Sequence, residues 1–155
     1  MKKLKSTRRM RFRKNLSTLY IPYYDNLCHR LHDRWQPYCG YRSIEEQNTL
    51  YAAGRIDLNL RIVTNARGGE SAHNYGCASD WAYINDDGYL YWPEYQDEIW
   101  MEYITACNEI GLRVYDFERP HNELDISVSW TKVDEIRIIK DMSKAMKFIE
   151  EYHRR

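Results

Sequence analysis

Ser71-Ala-His-Asn-Tyr-Gly-Cys-Ala-Ser-Asp80, continued by Trp81-Ala-Tyr-Ile84, is the stretch on which the reading of this chain turns. Its first part closes a Gly-, Asn- and Ser-rich run over residues 65–76 that reads as a loop, and its second, residues 77–84, alternates as a strand does. Alternation puts Asp80 on one face with Ala78 and Ala82. A histidine on a loop, His73, is thus followed by a carboxylate on the adjoining strand, with the small residues Gly76 and Ala78 expected to leave room around Asp80. Gly68-Gly69 lacks the Lys-Ser/Thr pair of a phosphate loop and is expected to let the His73 loop turn sharply.

Further along, Glu118-Arg-Pro-His121 offers a second histidine with a carboxylate three positions before it. A catalytic zinc usually takes three protein ligands from His, Asp or Glu and leaves one position for water, whose pKa the metal lowers toward about 7. His73, Asp80, Glu118 and His121 supply three such groups and a base. Each fragment alone is a common pattern on a solvated loop. Together they are more specific, because the chain has only five histidines and two of them lie in Gly- or Pro-containing turns beside acidic residues. His29 and His32 share a helix face with no third group to complete a site, and His153 sits in an Arg-rich terminal turn that favours a helix dipole.

Around these motifs the periodicity predicts helices and short strands in segregated order. Tyr24, Leu27, Cys28, Leu31 and Trp35 mark a helix over 22–34, and residues 38–42 read as a short strand. Ser43 with Glu46 forms a capping box for a helix that Gly54 stops. Arg42 is therefore expected at a strand end, just before a helix N-terminus. Residues 92–110 form an amphipathic helix closed by Gly111, strands follow at 112–117 and 122–128, and Met142, Ala145, Met146, Ile149 and Tyr152 mark a C-terminal helix. The expected fold class is α+β, a small antiparallel sheet that carries the metal motifs with helices around it.

A length of 155 residues suits one catalytic domain, and 14 Tyr with 5 Trp make an aromatic chain whose rings are expected mostly in the core and its rim. Net charge is zero, yet eight of the first fourteen residues are Lys or Arg, which leaves a net −8 on residues 15–155. Residues 1–14 are accordingly expected to be a flexible basic arm, and 15–155 the single domain. Beyond charge the arm carries no nucleic-acid reading element, so no specific nucleic acid is expected. No apolar run approaches the roughly 20 residues of a membrane span and no signal-peptide core follows the basic start, so a soluble chain made in the cytoplasm is expected. The four cysteines are spread without a CxxC pair and are expected to be free thiols, mostly buried.

The order Ser71, His73, Gly76, Ala78, Asp80 resembles the Ser-x-His-x-x-Gly-x-Ala-x-Asp pattern of the D-alanyl-D-alanine carboxypeptidases and L-alanyl-D-glutamate peptidases, a zinc family whose fold the hedgehog signalling domain shares. Gly40-Tyr-Arg-Ser-Ile-Glu-Glu-Gln-Asn-Thr-Leu-Tyr-Ala-Ala-Gly-Arg55 and Val63-Thr-Asn-Ala-Arg-Gly-Gly69 extend the likeness, which is greatest to the phage endolysin branch and covers about residues 27–124. The resemblance implies zinc held by His73, Asp80 and His121, with Glu118 as general base and acid. It also implies that Arg42 stabilises an oxyanion or holds a substrate carboxylate. Two departures, Asn122 where an aromatic often follows the third ligand and the absence of a Pro-Gly loop at 57–61, bear on the shape of the groove.

The implied function is a zinc peptidase that cuts the L-alanyl-D-glutamate bond of peptidoglycan stem peptides, a monomeric endolysin acting at the bacterial cell wall. A D-Ala-D-Ala carboxypeptidase or dipeptidase and a non-catalytic zinc module of the same fold are the alternatives. The presence of both Glu118 and Arg42 weighs against the module.

Overall fold

The computed structural model describes residues 6–126 and 129–130. Within them run four α-helices, Thr7–Arg13 (α1), Ile21–Arg30 (α2), Ile44–Ala52 (α3) and Ile99–Ile110 (α4). Five strands, Trp35–Cys39 (β1), Ala78–Ile84 (β2), Leu90–Tyr91 (β3), Arg113–Tyr115 (β4) and Glu118–Glu123 (β5), form one antiparallel sheet. The fold class is α+β, as expected. β2 is the hub: β1 lies along one edge, while the other edge pairs with β5 over Ala78, Ser79 and Asp80 and with β3 over Tyr83 and Ile84. β4 continues the sheet beyond β5.

The aromatic residues explain the core. Trp35, Trp81, Trp100, Tyr20, Tyr24 and Tyr103 are all buried. Trp35 stacks on Tyr103 at 5.2 Å between centroids and meets Trp100 at 5.3 Å, which ties β1 to α4. Buried phenols need partners. Tyr20 Oη donates to Asn122 Oδ1 and bonds Ser79 Oγ, and Tyr103 Oη donates to the Pro120 carbonyl. The rings therefore do fill the core, and their polar ends reach the strands that carry the site.

Residues 7–13 are not a loose arm. Ser6 caps α1 by accepting from the Arg9 amide, and the Arg9 side chain is buried against the ring of Trp81. Its guanidinium donates to the carbonyls of Cys28 (2.8 Å), His32 (3.0 Å) and Trp35 (2.6 Å). Charge counting along the segment misses this, because one arginine of the run finds carbonyls left over by another element. The same contact explains why α2 stops at Arg30 rather than running to 34. The chain turns extended at Leu31, and the freed carbonyls of the helix end go to a cation, as favoured at a helix C-terminus.

α4 starts at Ile99 rather than 92 because residues 93–97 form a turn around the indole of Trp100, whose Nε1 donates to the carbonyls of Pro93 and Glu94. The strand expected at 122–128 runs instead over Glu118–Glu123, because residues 118–123 are the ones that pair with β2 and β4, and 124–126 lie in no strand. Residues 127–128 and the helix expected at 142–152 lie outside the described residues. Among the described residues no helix is long and apolar enough to cross a membrane.

Candidate metal centre and its cleft

The sheet register builds the centre of the site. Asp80 on β2 lies opposite Cys39 of β1 on one side and opposite His121 of β5 on the other. Directly opposed residues of an antiparallel pair bring their side chains within reach of each other. His121 Nδ1 is 2.9 Å from Asp80 Oδ1, although 41 residues separate them in sequence.

Glu118 is also brought to this place, by a different device from the rigid turn that Pro120 suggested. Both Glu118 and His121 belong to β5, where strict alternation would put residues three apart on opposite faces. The β4–β5 register slips, however: Val114 pairs with Asn122 while the next residue, Tyr115, pairs with Glu118. The extra residues of β5, Arg119-Pro120-His121, form a bulge that re-aims the strand, a place where proline's missing N–H costs no ladder bond. Donor atoms of Asp80, Glu118 and His121 consequently lie within 4.8 Å of one another.

His73 arrives from the loop before β2. It sits in a single 3-10 turn, Ala72–Tyr75, capped by Ser71 and Asn74. Gly76 ends the turn with φ +65, and a Cβ there would lie 2.7 Å from the backbone N of Ser17. Its smallness thus serves the turn and the close approach of residues 15–17, not free space around Asp80. Gly69, at φ +92, gives the sharp bend expected of it. Asn74 locks the loop, accepting from the Gly69 and Ser71 amides and donating to the carbonyls of Arg42 and Ser43.

His73 Nδ1 lies 2.7 Å from the Gly40 carbonyl, which can only accept, so Nδ1 carries the proton and Nε2 points to Asp80 at 3.3 Å. The two imidazoles stand edge to face with centroids 5.1 Å apart.

Arg42 lines the same cleft, held in place by a donor bond to Gln47 Oε1 at 2.8 Å and one to Cys39 Sγ at 3.2 Å. An ion pair with Glu45 or Glu46 is not what orients it. Gln47 is buried on α3 and donates in turn to the Ala66 carbonyl.

The electrostatics are those of an anionic centre that wants a cation. Burial pulls the His73 imidazole down, but Asp80 outweighs it and the group is pushed up to about 10. His121 is likewise lowered by burial and raised more strongly by its bonds to Asp80 and Glu123, to about 9. Burial would raise Asp80, yet the two histidines hold it well below the usual carboxylate range. Glu118 stands at the mouth of the cleft, where partial desolvation, reinforced by Asp80, raises its carboxyl.

His73 Nε2 and His121 Nδ1 each approach the same oxygen of Asp80, and two imidazole nitrogens with a carboxylate are the donor chemistry of a zinc site, although the two histidines do not fall in one cluster of mutually close donor atoms. Among the described residues, the two clusters able to share a metal are Asp80, Glu118, His121 and Cys39, His73, Asp80, and both contain Asp80. His29 and His32 are exposed elsewhere and belong to neither cluster. The centre opens on a cleft of about 980 Å³, whose walls include Arg42, Tyr38, Trp92, Tyr115 and Trp130.

The sequence carried no signal for Cys39, and it offered Glu123 only as the nearest alternative to Glu118 as base, whereas the structure sets it against His121 Nε2. Cys28, Cys77 and Cys107 are buried free thiols as expected, while Cys39 is only partly covered.

The chain is similar to the peptidoglycan L-alanyl-D-glutamate endopeptidase CwlK of Bacillus subtilis (strain 168), with 41% identity over 78 residues. The match covers 46% of this chain and 46% of that protein, so it spans under half of the relative's length. No protein-family model matches the chain.

Proposed function

We propose that this protein is a zinc-dependent peptidase that hydrolyses the L-alanyl-D-glutamate bond of peptidoglycan stem peptides, and that it serves as an endolysin at the bacterial cell wall. The observation that carries this reading is the convergence of His73, His121 and Glu118 on Asp80 at the floor of an open cleft. The similarity to CwlK supports the choice of bond.

In this reading His73, Asp80 and His121 would hold the metal, His73 through Nε2 and His121 through Nδ1, the nitrogens that face Asp80. When bound, zinc polarises the scissile carbonyl and lowers the pKa of a coordinated water. Glu118 accepts a proton during attack and returns it to the leaving amine, a role suited to a carboxyl whose pKa partial burial raises. Arg42 faces the cleft with its guanidinium tethered by Gln47 and Cys39. A fixed, permanently charged fork of this kind can stabilise the developing oxyanion or hold a substrate carboxylate. The Gly40 carbonyl, by accepting a hydrogen bond from Nδ1–H of His73, keeps Nε2 free as a ligand.

Mass spectrometry of muropeptides after digestion of purified peptidoglycan tests the reading. Release of fragments beginning at D-glutamate supports it. Loss of a terminal D-alanine alone would identify a carboxypeptidase instead, and no release at all from zinc-loaded protein would leave a binding module.

A further inference from the structure

Glu123 was not among the groups that peptide hydrolysis requires, yet it is the most heavily engaged carboxylate at the site. It is buried, and Oε2 lies 2.8 Å from His121 Nε2, on the edge of the ring remote from Asp80. Its other oxygen, Oε1, accepts from Tyr115 Oη at 2.7 Å and from Arg113 Nη1 at 3.4 Å. Tyr115 also lies almost parallel to the imidazole, with centroids 6.1 Å apart and planes at 25°. The ring of His121 is therefore gripped on one edge by a carboxylate and covered on one face by the phenol that orients that carboxylate.

An imidazole can present either nitrogen to a metal, and the choice is made by what the other nitrogen does. We propose that Glu123, oriented by Tyr115 and Arg113, is a positioning residue that keeps the proton of His121 on Nε2 and so presents Nδ1 to the metal. This rests on the zinc-peptidase reading for its consequence in catalysis, but not for its consequence in metal binding. Geometry also removes Glu123 as a substitute for Glu118. Although it reaches the cleft wall, both of its oxygens are committed, one to His121 Nε2 on the ring edge remote from Asp80 and the other to Tyr115 and Arg113.

The test is a set of variants of the full chain, Glu123→Ala, Glu123→Gln and Tyr115→Phe, each measured for zinc affinity by competition with a chromophoric chelator at one pH. Loss of such an outer-shell partner typically weakens a metal site about 10- to 100-fold, and that is expected for Glu123→Ala. Glu123→Gln, which can still accept from Nε2–H, should recover part of the loss. Tyr115→Phe keeps the stacking and should cost about two- to tenfold, the worth of one net hydrogen bond.

Long-range proton–nitrogen NMR of the zinc-loaded parent should show His121 protonated at Nε2 and metal-bound at Nδ1, with that signature broadened or mixed in Glu123→Ala. A merely structural carboxylate would change the melting temperature without changing either readout. Affinities of Glu123→Ala and Tyr115→Phe within about twofold of the parent, or a parent spectrum with Nε2 on the metal, would overturn the proposal. If Glu123→Ala does not fold, the Tyr115→Phe affinity and the parent spectrum decide. A parent that binds zinc with this dependence on Glu123 but cleaves no peptidoglycan would sink the peptidase reading and leave the positioning role standing.

Discussion

Replacing Arg9 with methionine should cost the protein a large part of its stability, though Arg9 stands in a segment that reads as a solvated basic tail. The change keeps an apolar stem of similar length over Trp81 and removes the guanidinium. Three carbonyls then lose their donor. Those of Cys28 and Trp35 are fully buried partners, while that of His32 is near solvent and can recover a water. A buried acceptor left without a partner costs about 1–3 kcal/mol, so the two buried ones amount to roughly 2–6 kcal/mol. Relief of the burial of a cation offsets some of this, leaving a net loss of about 2–4 kcal/mol. For a chain of this size each kcal/mol moves the melting temperature by about 2–4 °C, so a drop of about 5–15 °C is expected.

The control is Arg11→Met, which removes the same charge from an exposed position on the same helix and should shift the melt by no more than about 2 °C. Equal melting temperatures for the two variants, followed by circular dichroism, would refute the argument that α1 is an integral part of the fold. The loss should also reach the site. Arg9 grips the start of β1 at Trp35, and the end of β1 supplies Cys39 opposite Asp80 and leads to the Gly40 carbonyl that fixes His73.

Three further outcomes follow from the site itself. Glu118→Gln should retain zinc by atomic absorption and lose about 10²- to 10⁴-fold in peptidoglycan turnover; near-parent turnover would move the base elsewhere. His121→Ala should lose stoichiometric zinc, and full occupancy in that variant would show the ligand assignment to be wrong. In chelator, the protein should melt at progressively lower temperature from pH 7 to 10. His73 and His121 have folded pKa values raised to about 10 and about 9, so their stabilisation is complete below the unfolded value of about 6.5 and is lost as pH rises through the folded values. A melting temperature that is flat or rising over that range would contradict the assigned interactions with Asp80 and Glu123.

How much of this was legible in the sequence differs from element to element. The alternation after Gly76 located β2 and the face of Asp80, because a strand's side-chain period is set by its backbone alone. Ser43 located the start of α3 for a similarly local reason, its hydroxyl accepting from the amide of Glu46. What could not be read were features that depend on two distant segments meeting. Arg9 is one, since its acceptors lie on α2, the following turn and β1. Gln47 is another, holding Arg42 and the Ala66 carbonyl at once. Gly76 was noticed for the right reason of size but for the wrong neighbour, because residues 15–17 are remote in sequence.

The spacing Glu118-x-x-His121 shows most clearly where local reading ends. In a helix, residues three apart share a face, and in a turn they converge, so the motif alone suggested one of those. In the structure the pair sits on a strand, where that spacing is the wrong one, and it works because β5 carries a bulge against β4. The bulge has two consequences that come together. It turns Glu118 toward Asp80, and it leaves His121 through Glu123 in regular register with β2, so that these two share a face and can bond. One irregularity therefore sets both the reach of the candidate base and the support behind the candidate ligand. Neither can be altered by shortening or lengthening β5 without displacing the other.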